Sequence, residues 1–187
     1  MSSDLHFFAY FTGEGTDGLH VAVSNDTIRW HSLNHGVPLL APVLGKQSLM
    51  RDPHLTRGPD GTFHLLWTTG WNDAFIGYAS SSNLRDWSEQ RALPVMAAFP
   101  GTLHCRTPES SYDPDAQDFL VRWSSAVSLR HERTRELRYA TRTRDFKTFT
   151  PVSPLLLPSV SAKNIAALPD CEASTDVTSR LLLSFLP

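Results

Sequence analysis

Three short stretches of the chain set an acid at or beside a proline: Arg51-Asp52-Pro53-His54, Arg106-Thr107-Pro108-Glu109 and Pro169-Asp170-Cys171-Glu172. Carboxyls drawn from separate segments into one pocket are what acid–base hydrolysis of a glycosidic bond requires. One protonates the departing oxygen while another activates water or attacks carbon. Crowding acids together also raises the pKa of the one that must keep its proton. Asp52, Glu109 and Asp170 are therefore the candidate catalytic residues. Arg51, His54 and Arg106 stand beside them, and Trp71, just past a strand end in Thr69-Gly70-Trp71-Asn72-Asp73, could stack on a sugar ring. These four are the candidate substrate-binding residues. Trp67, Trp123 and Phe11 recur at equivalent places in the chain, which assigns them to the core instead.

The elements that must position these groups repeat. His20-Val-Ala-Val-Ser-Asn-Asp-Thr-Ile-Arg-Trp30, Ile76-Gly-Tyr-Ala-Ser-Ser-Ser-Asn-Leu-Arg-Asp-Trp87 and Leu137-Arg-Tyr-Ala-Thr-Arg-Thr-Arg-Asp-Phe-Lys-Thr-Phe149 each carry an alternating strand, a Ser or Thr, a polar turn and an aromatic. A β-rich run ending in an aromatic and then Thr or Ser precedes each: Leu5–Thr12, Thr62–Thr68 and Asp118–Ser124. Ahead of the later two lies another strand behind a proline, joined to its neighbour by Gly58-Pro-Asp-Gly61 or Asp113-Pro-Asp-Ala116, both strong hairpin signals. Each unit is three or four short antiparallel strands over roughly 60 residues with no helix-period segment, which is the requirement of a propeller blade.

The fold expected is all-β, a single incomplete β-propeller domain over residues 1–187. Its blades fall near 5–34, 50–96 and 106–153, with a partial blade over 168–187, about three to four in all. A Greek-key sandwich also has many short strands, but it would not repeat one Ser-turn-Trp signature at a near-constant interval. In a propeller the first strand of each blade lines the central channel, so the acids beside Pro53 and Pro108 converge on one face.

The run Met50-Arg-Asp-Pro-His-Leu-Thr-Arg-Gly-Pro-Asp-Gly-Thr-Phe-His-Leu-Leu-Trp-Thr68 resembles the inner-strand motif of glycoside hydrolase family 43. Ile76–Trp87 is similar to the strand-Ser-x-Asp-Leu-x-x-Trp element that follows it there. Thr107-Pro-Glu-Ser-Ser-Tyr-Asp113 is similar to that family's Trp-Ala-Pro-Glu/Asp segment, with Arg106-Thr107 in place of Trp-Ala. The resemblance spans residues 5 to about 150. It implies a five-bladed propeller of the glycosidase type, acting mostly with inversion on O-glycosidic bonds of arabinose-, xylose- or galactose-containing glycans. It also implies Asp52 as the base, Asp170 where a pKa-tuning acid belongs, and Glu109 as a pocket acid. The family's general acid, a Glu, is expected on a later blade beyond Pro187, and the resemblance as a whole still leans toward an enzyme. A carbohydrate-binding propeller without catalysis is the alternative. Protein-interaction propellers fit less well, because the WD and kelch signatures are missing and the period is too long.

Composition narrows the partners. Net charge is −2, which gives no general attraction for nucleic acid, and the short, proline-broken apolar runs give no membrane span. Cys105 and Cys171 form neither a disulfide framework nor a zinc pattern. The scattered histidines lack ligand spacing, so neither metal nor cofactor is expected. The partner expected is an oligosaccharide or polysaccharide. No signal peptide is visible at the N-terminus, so the chain as written is expected to stay in the cytoplasm.

Overall fold

The computed structural model describes residues 5–128 and 134–155. Asp170, Cys171 and the partial blade expected over 168–187 lie outside the described residues. Among the described residues the regular structure is almost wholly β, and no helix is long and apolar enough to cross a membrane. Strands β1 (His6–Tyr10), β2 (His20–Ser24) and β3 (His31–Ser32) form one antiparallel sheet, followed by a one-turn 3-10 helix at Leu33–Gly36. Strands β4 (Arg51–Arg57), β5 (Phe63–Thr68), β6 (Ile76–Ser81) and β7 (Arg91–Leu93) form a second sheet. The third contains β8 (Thr102–Asp113), β9 (Asp118–Val127), β10 (Arg135–Thr143) and β11 (Ser153–Pro154). In every sheet each strand pairs with its neighbour in sequence, so each is an up-and-down meander.

The repeat seen in the sequence is a repeated turn. After β2, β6 and β10 a hydroxyl (Ser24, Ser81, Thr143) meets the side chain two residues on (Asp26, Asn83, Asp145). That second oxygen then accepts two backbone N–H groups further along: Ile28 and Arg29, Arg85 and Asp86, Lys147 and Thr148. Short polar side chains that cap their own turn in this way need no long-range support. The turn places Thr27, Leu84 and Phe146 at positive φ, three residues after the hydroxyl in each case. Trp30, Trp87 and Phe149 follow three residues later.

The sheets pack face to face in chain order. Leu19, Val21 and Met50 pack with Leu65, Trp67 and Ala79 of the second sheet. The other face of that sheet presents Leu66, Ile76 and Tyr78 to Cys105, Val121, Trp123 and Tyr139 of the third. Burial on both sides explains why β5 shows no alternation, whereas burial alternates along β9 from Asp118 to Ser125. Trp67 and Trp123 are fully buried, as their recurrence required. Phe11 is different: it is only half-buried and lies beneath the Arg51 guanidinium, 5.0 Å from it, outside the two main clusters.

Gly77 is fixed by this packing. A Cβ there would stand 2.1 Å from the Trp67 ring, with no flexible side chain to yield. Gly77→Ala should therefore cost about 3 kcal/mol, the upper part of the usual overpacking range, read as a lowered urea midpoint at unchanged slope. A wild-type midpoint would show that the ring is free to move.

A second expectation concerns acid. The His64 ring stacks 4.6 Å from Phe146 and lies edge-on to Phe119, with Nδ1 3.0 Å from the Tyr78 hydroxyl. Burial pulls its pKa down to about 4, against about 6.5 for an exposed histidine, so the folded state holds it neutral. Burial lowers His54 and His104 as well. Below the unfolded pKa the unfolded chain binds protons that the folded one refuses. Stability should be complete above about pH 6.5 and fall as pH drops toward 4. Urea midpoints across this range test it, and His64→Phe should make the fall shallower.

Candidate active site

The first strands of the second and third sheets run beside one another. His54 Nε2 lies 2.8 Å from the Ser110 carbonyl oxygen, and the Thr56 hydroxyl donates to the same oxygen at 2.8 Å. An acceptor at Nε2 requires the ring to donate there, and burial keeps the imidazole neutral, so His54 carries its proton on Nε2. This expected sugar contact therefore spends one nitrogen on joining β4 to β8.

Both strands bulge at the residue before their proline. In β4 the register runs from Arg51 opposite Thr68 to His54 opposite Leu66; in β8 it runs from Arg106 opposite Ser124 to Glu109 opposite Arg122. Each bulge adds one residue to the first strand. Asp52 has φ 47° and Thr107 φ 48°, a region a pre-proline residue avoids and a β-branched one avoids still more. Strict alternation would set Asp52 and His54 on one face. The bulge corrects that expectation: Arg51 and His54 share a face, as do Arg106 and Glu109, and the side chain in between is turned aside.

One hydroxyl links the two bulges. Thr68 at the end of β5 is buried; its Oγ1 donates to Asp52 Oδ2 at 3.0 Å and accepts the Thr107 N–H at 3.0 Å. The Asp52 carboxylate is thus aimed by a group that is itself fixed by the neighbouring sheet. The sequence contained the signal, since an aromatic followed by Thr or Ser recurs at Thr68 and Ser124, but its partners could not be read there.

Trp71 is 39% exposed, with two guanidiniums near its ring. Arg51 lies 4.4 Å from its ring and Arg106 5.3 Å, and Arg106 also donates to the Trp71 carbonyl at 2.7 Å. The Trp71 backbone N–H donates to Gln47 Oε1 at 2.9 Å, and Arg51 pairs with Glu14 at 2.9 Å. Neither Gln47 nor Glu14 stood out in the sequence. The structure thus brings Arg51, Arg106 and Trp71 together beside Asp52.

Glu109 belongs to a neighbouring cluster. Its Oε2 accepts from Arg138 at 3.1 Å and lies 3.6 Å from an Arg122 terminal nitrogen. An open cleft of about 520 Å³ between the segments 91–99 and 141–152 includes neither Asp52 nor Glu109, and its lining is mainly apolar. It is not the chemical site. Among the described residues no group of three His, Cys, Asp or Glu side chains could hold a metal ion. Burial pushes the Cys105 thiol up to about 11, so that free cysteine is inert packing.

These features define a β-propeller of the five-bladed glycosidase type. Residues 4–159 match the family described as "Probable glycosyl hydrolase domain", related to glycoside hydrolase family 43, and the chain belongs to that family. No curated protein matches it significantly. Among solved structures it is similar to a Penicillium chrysogenum α-L-arabinanase complexed with arabinobiose (TM-score 0.56, 11% identity, 83% of this chain and 45% of the other). It is also similar to the Fusarium graminearum GH93 α-L-arabinofuranosidase with arabinobiose (0.54, 12%, 80% and 44%). A Clostridium thermocellum α-L-arabinofuranosidase gives 0.52 at 16% identity, covering 82% and 49%. These likenesses concern the fold, and the chain spans less than half the length of each.

The Thr68 link predicts an asymmetry between two small substitutions. Thr68→Val strands the Thr107 N–H and removes the donor to Asp52, costing about 1–3 kcal/mol, whereas Thr68→Ser keeps both bonds and should cost under about 1 kcal/mol. Equal urea midpoints for the two variants would exclude the link.

Proposed function

We propose that the chain forms the substrate-facing part of a glycosidase that hydrolyses O-glycosidic bonds in arabinose-, xylose- or galactose-containing glycans, with Asp52 as the base. The observation that carries this reading is the aimed carboxylate: Asp52 sits on a strained bulge, oriented by Thr68, beside an exposed tryptophan flanked by arginines. Strained backbone concentrates where a group must be held in a working position. In the inverting scheme, Asp52 takes a proton from water as the water oxygen bonds to the anomeric carbon. The glycosidic C–O bond breaks, and a second carboxyl protonates the departing oxygen. Trp71 offers the apolar face of a sugar its ring, and Arg51 and Arg106 offer donors to hydroxyls. Glu109 serves as a pocket acid, and His54 positions the strand that carries Asp52. Membership of the family and the arabinobiose carried by two of the similar structures support the substrate class.

One observation favours a second reading, a carbohydrate-binding propeller without turnover. The second carboxyl that hydrolysis needs is not offered by Glu109, whose Oε2 is held by Arg138 with Arg122 close by.

The full chain incubated with arabino-oligosaccharides separates the two readings. Released arabinose supports the glycosidase, and binding with no product supports the second reading. If product forms, Asp52→Asn should lower turnover by about 10²–10⁴-fold while leaving sugar affinity unchanged. Trp71→Ala should weaken binding about tenfold. A fully active Asp52→Asn variant would remove Asp52 from the chemistry, and the absence of both binding and product would overturn both readings.

A further inference from the structure

We propose that Gln47 contacts the sugar, its side-chain amide giving N–H donors to the hydroxyls of the glycan that stacks on Trp71. The proposal rests on the carbohydrate reading above and deepens it, adding the segment before β4 to the binding site.

That segment is laid against the loop that carries Trp71. The Leu49 N–H donates to the Thr69 carbonyl at 3.1 Å. Asp73, at the other end of the loop, is buried, and its Oδ2 accepts the Thr69 hydroxyl at 3.0 Å. The Asp73 carbonyl oxygen accepts the Cys105 N–H at 2.8 Å, which ties the loop to β8 as well. Glycine lets loop and segment close on the Asp73 carboxylate. A Cβ at Gly45 or at Gly70 would fall on Asp73 Oδ2, and Gly45 also has a φ of 80°. Gln47 thus stands on a seated backbone, two residues from Gly45 and two from Leu49.

Its amide has a fixed orientation. An N–H can be accepted only by the amide oxygen, and Gln47 Oε1 takes the Trp71 backbone N–H at 2.9 Å. The amide nitrogen of Gln47 carries two further donors, and neither is given to another of the described residues. Gln47 is exposed, beside the exposed Trp71.

Gln90 supplies the contrast. It fastens the same segment nearer its start, and both ends of its amide are engaged: Oε1 accepts the Val43 N–H at 3.0 Å and Nε2 donates to the Ala41 carbonyl at 2.6 Å. A glutamine that serves only to fasten the backbone uses its amide in this way. Gln47 is held by its acceptor and keeps its donors open. An apolar platform with a few fixed polar groups around it is how a small polar ligand is oriented. A donor already held in place also loses less freedom when the ligand arrives.

The test is calorimetric titration of the full chain with a neutral arabino-oligosaccharide. Gln47→Glu keeps an oxygen for the Trp71 N–H and removes both donors. It should weaken binding about three- to tenfold, the worth of one or two hydrogen bonds, with the urea midpoint unchanged. The loss should persist in added salt, because a missing donor, unlike an added charge, is not screened. Gln90→Glu makes the same exchange on the same segment away from Trp71 and should leave affinity unchanged. Wild-type affinity in Gln47→Glu would reduce Gln47 to a support for Trp71 and overturn the proposal. An equal loss in Gln90→Glu, or recovery of Gln47→Glu in salt, would overturn it too, while leaving the carbohydrate reading intact. Absence of sugar binding by the wild-type chain would remove the proposal together with the reading it rests on.

Discussion

A hydroxyl has one hydrogen to give, and the geometry around Asp52 follows from where Thr68 spends it. Because the Thr107 N–H occupies a lone pair of Thr68 Oγ1, the hydroxyl hydrogen is directed to Asp52 Oδ2. Both outer partners sit at positive φ just before a proline, conformations that cost of order 1–3 kcal/mol each and persist only where the surroundings over-determine them. Thr68 is part of that over-determination. It is buried at the end of β5, in the strand whose Trp67 anchors the packing against the first sheet. The orientation of the carboxylate is therefore inherited from the core through a single oxygen.

The second sheet can play this part because it is packed on both sides. Trp67 and Leu65 face the first sheet, Leu66 and Tyr78 face the third, and the close approach of Gly77 to the Trp67 ring leaves no slack between β5 and β6. Interiors at this density transmit position faithfully. Trp71, Arg51 and Arg106 are held differently, by ring–guanidinium contacts and by polar bonds to Gln47, Glu14 and the Trp71 carbonyl. The carboxylate is fixed, whereas the groups around it are held by contacts that can adjust.

Much of this was legible in the sequence because it is local. The Ser24, Ser81 and Thr143 turns cap themselves, so the same few residues specify them wherever they occur. Trp67 and Trp123 announced the core by recurring, and Pro53 and Pro108 announced corresponding strands. The bulges could not be read in advance. A period-two argument presumes an unbroken ladder, and a single extra residue between Arg51 and His54 reverses which side chains share a face. Phe11 misled for a related reason: its position in the repeat matches that of Trp67, but it ends under Arg51 instead of in the main core.

Repetition also shows what each sheet contributes. Asp52 and Thr107 occupy the same place on corresponding bulges, yet one supplies a carboxylate and the other only its backbone N–H. Repetition of the blade copies the backbone, including the bulge and a positive φ that a residue before proline otherwise avoids. It does not oblige the copies to share a side chain. The second sheet spends its copy on an acid, and the third spends its own on holding Thr68, which aims that acid. The two bulges thus act as one asymmetric unit, and their seam, more than either sheet alone, determines which way the Asp52 carboxylate faces.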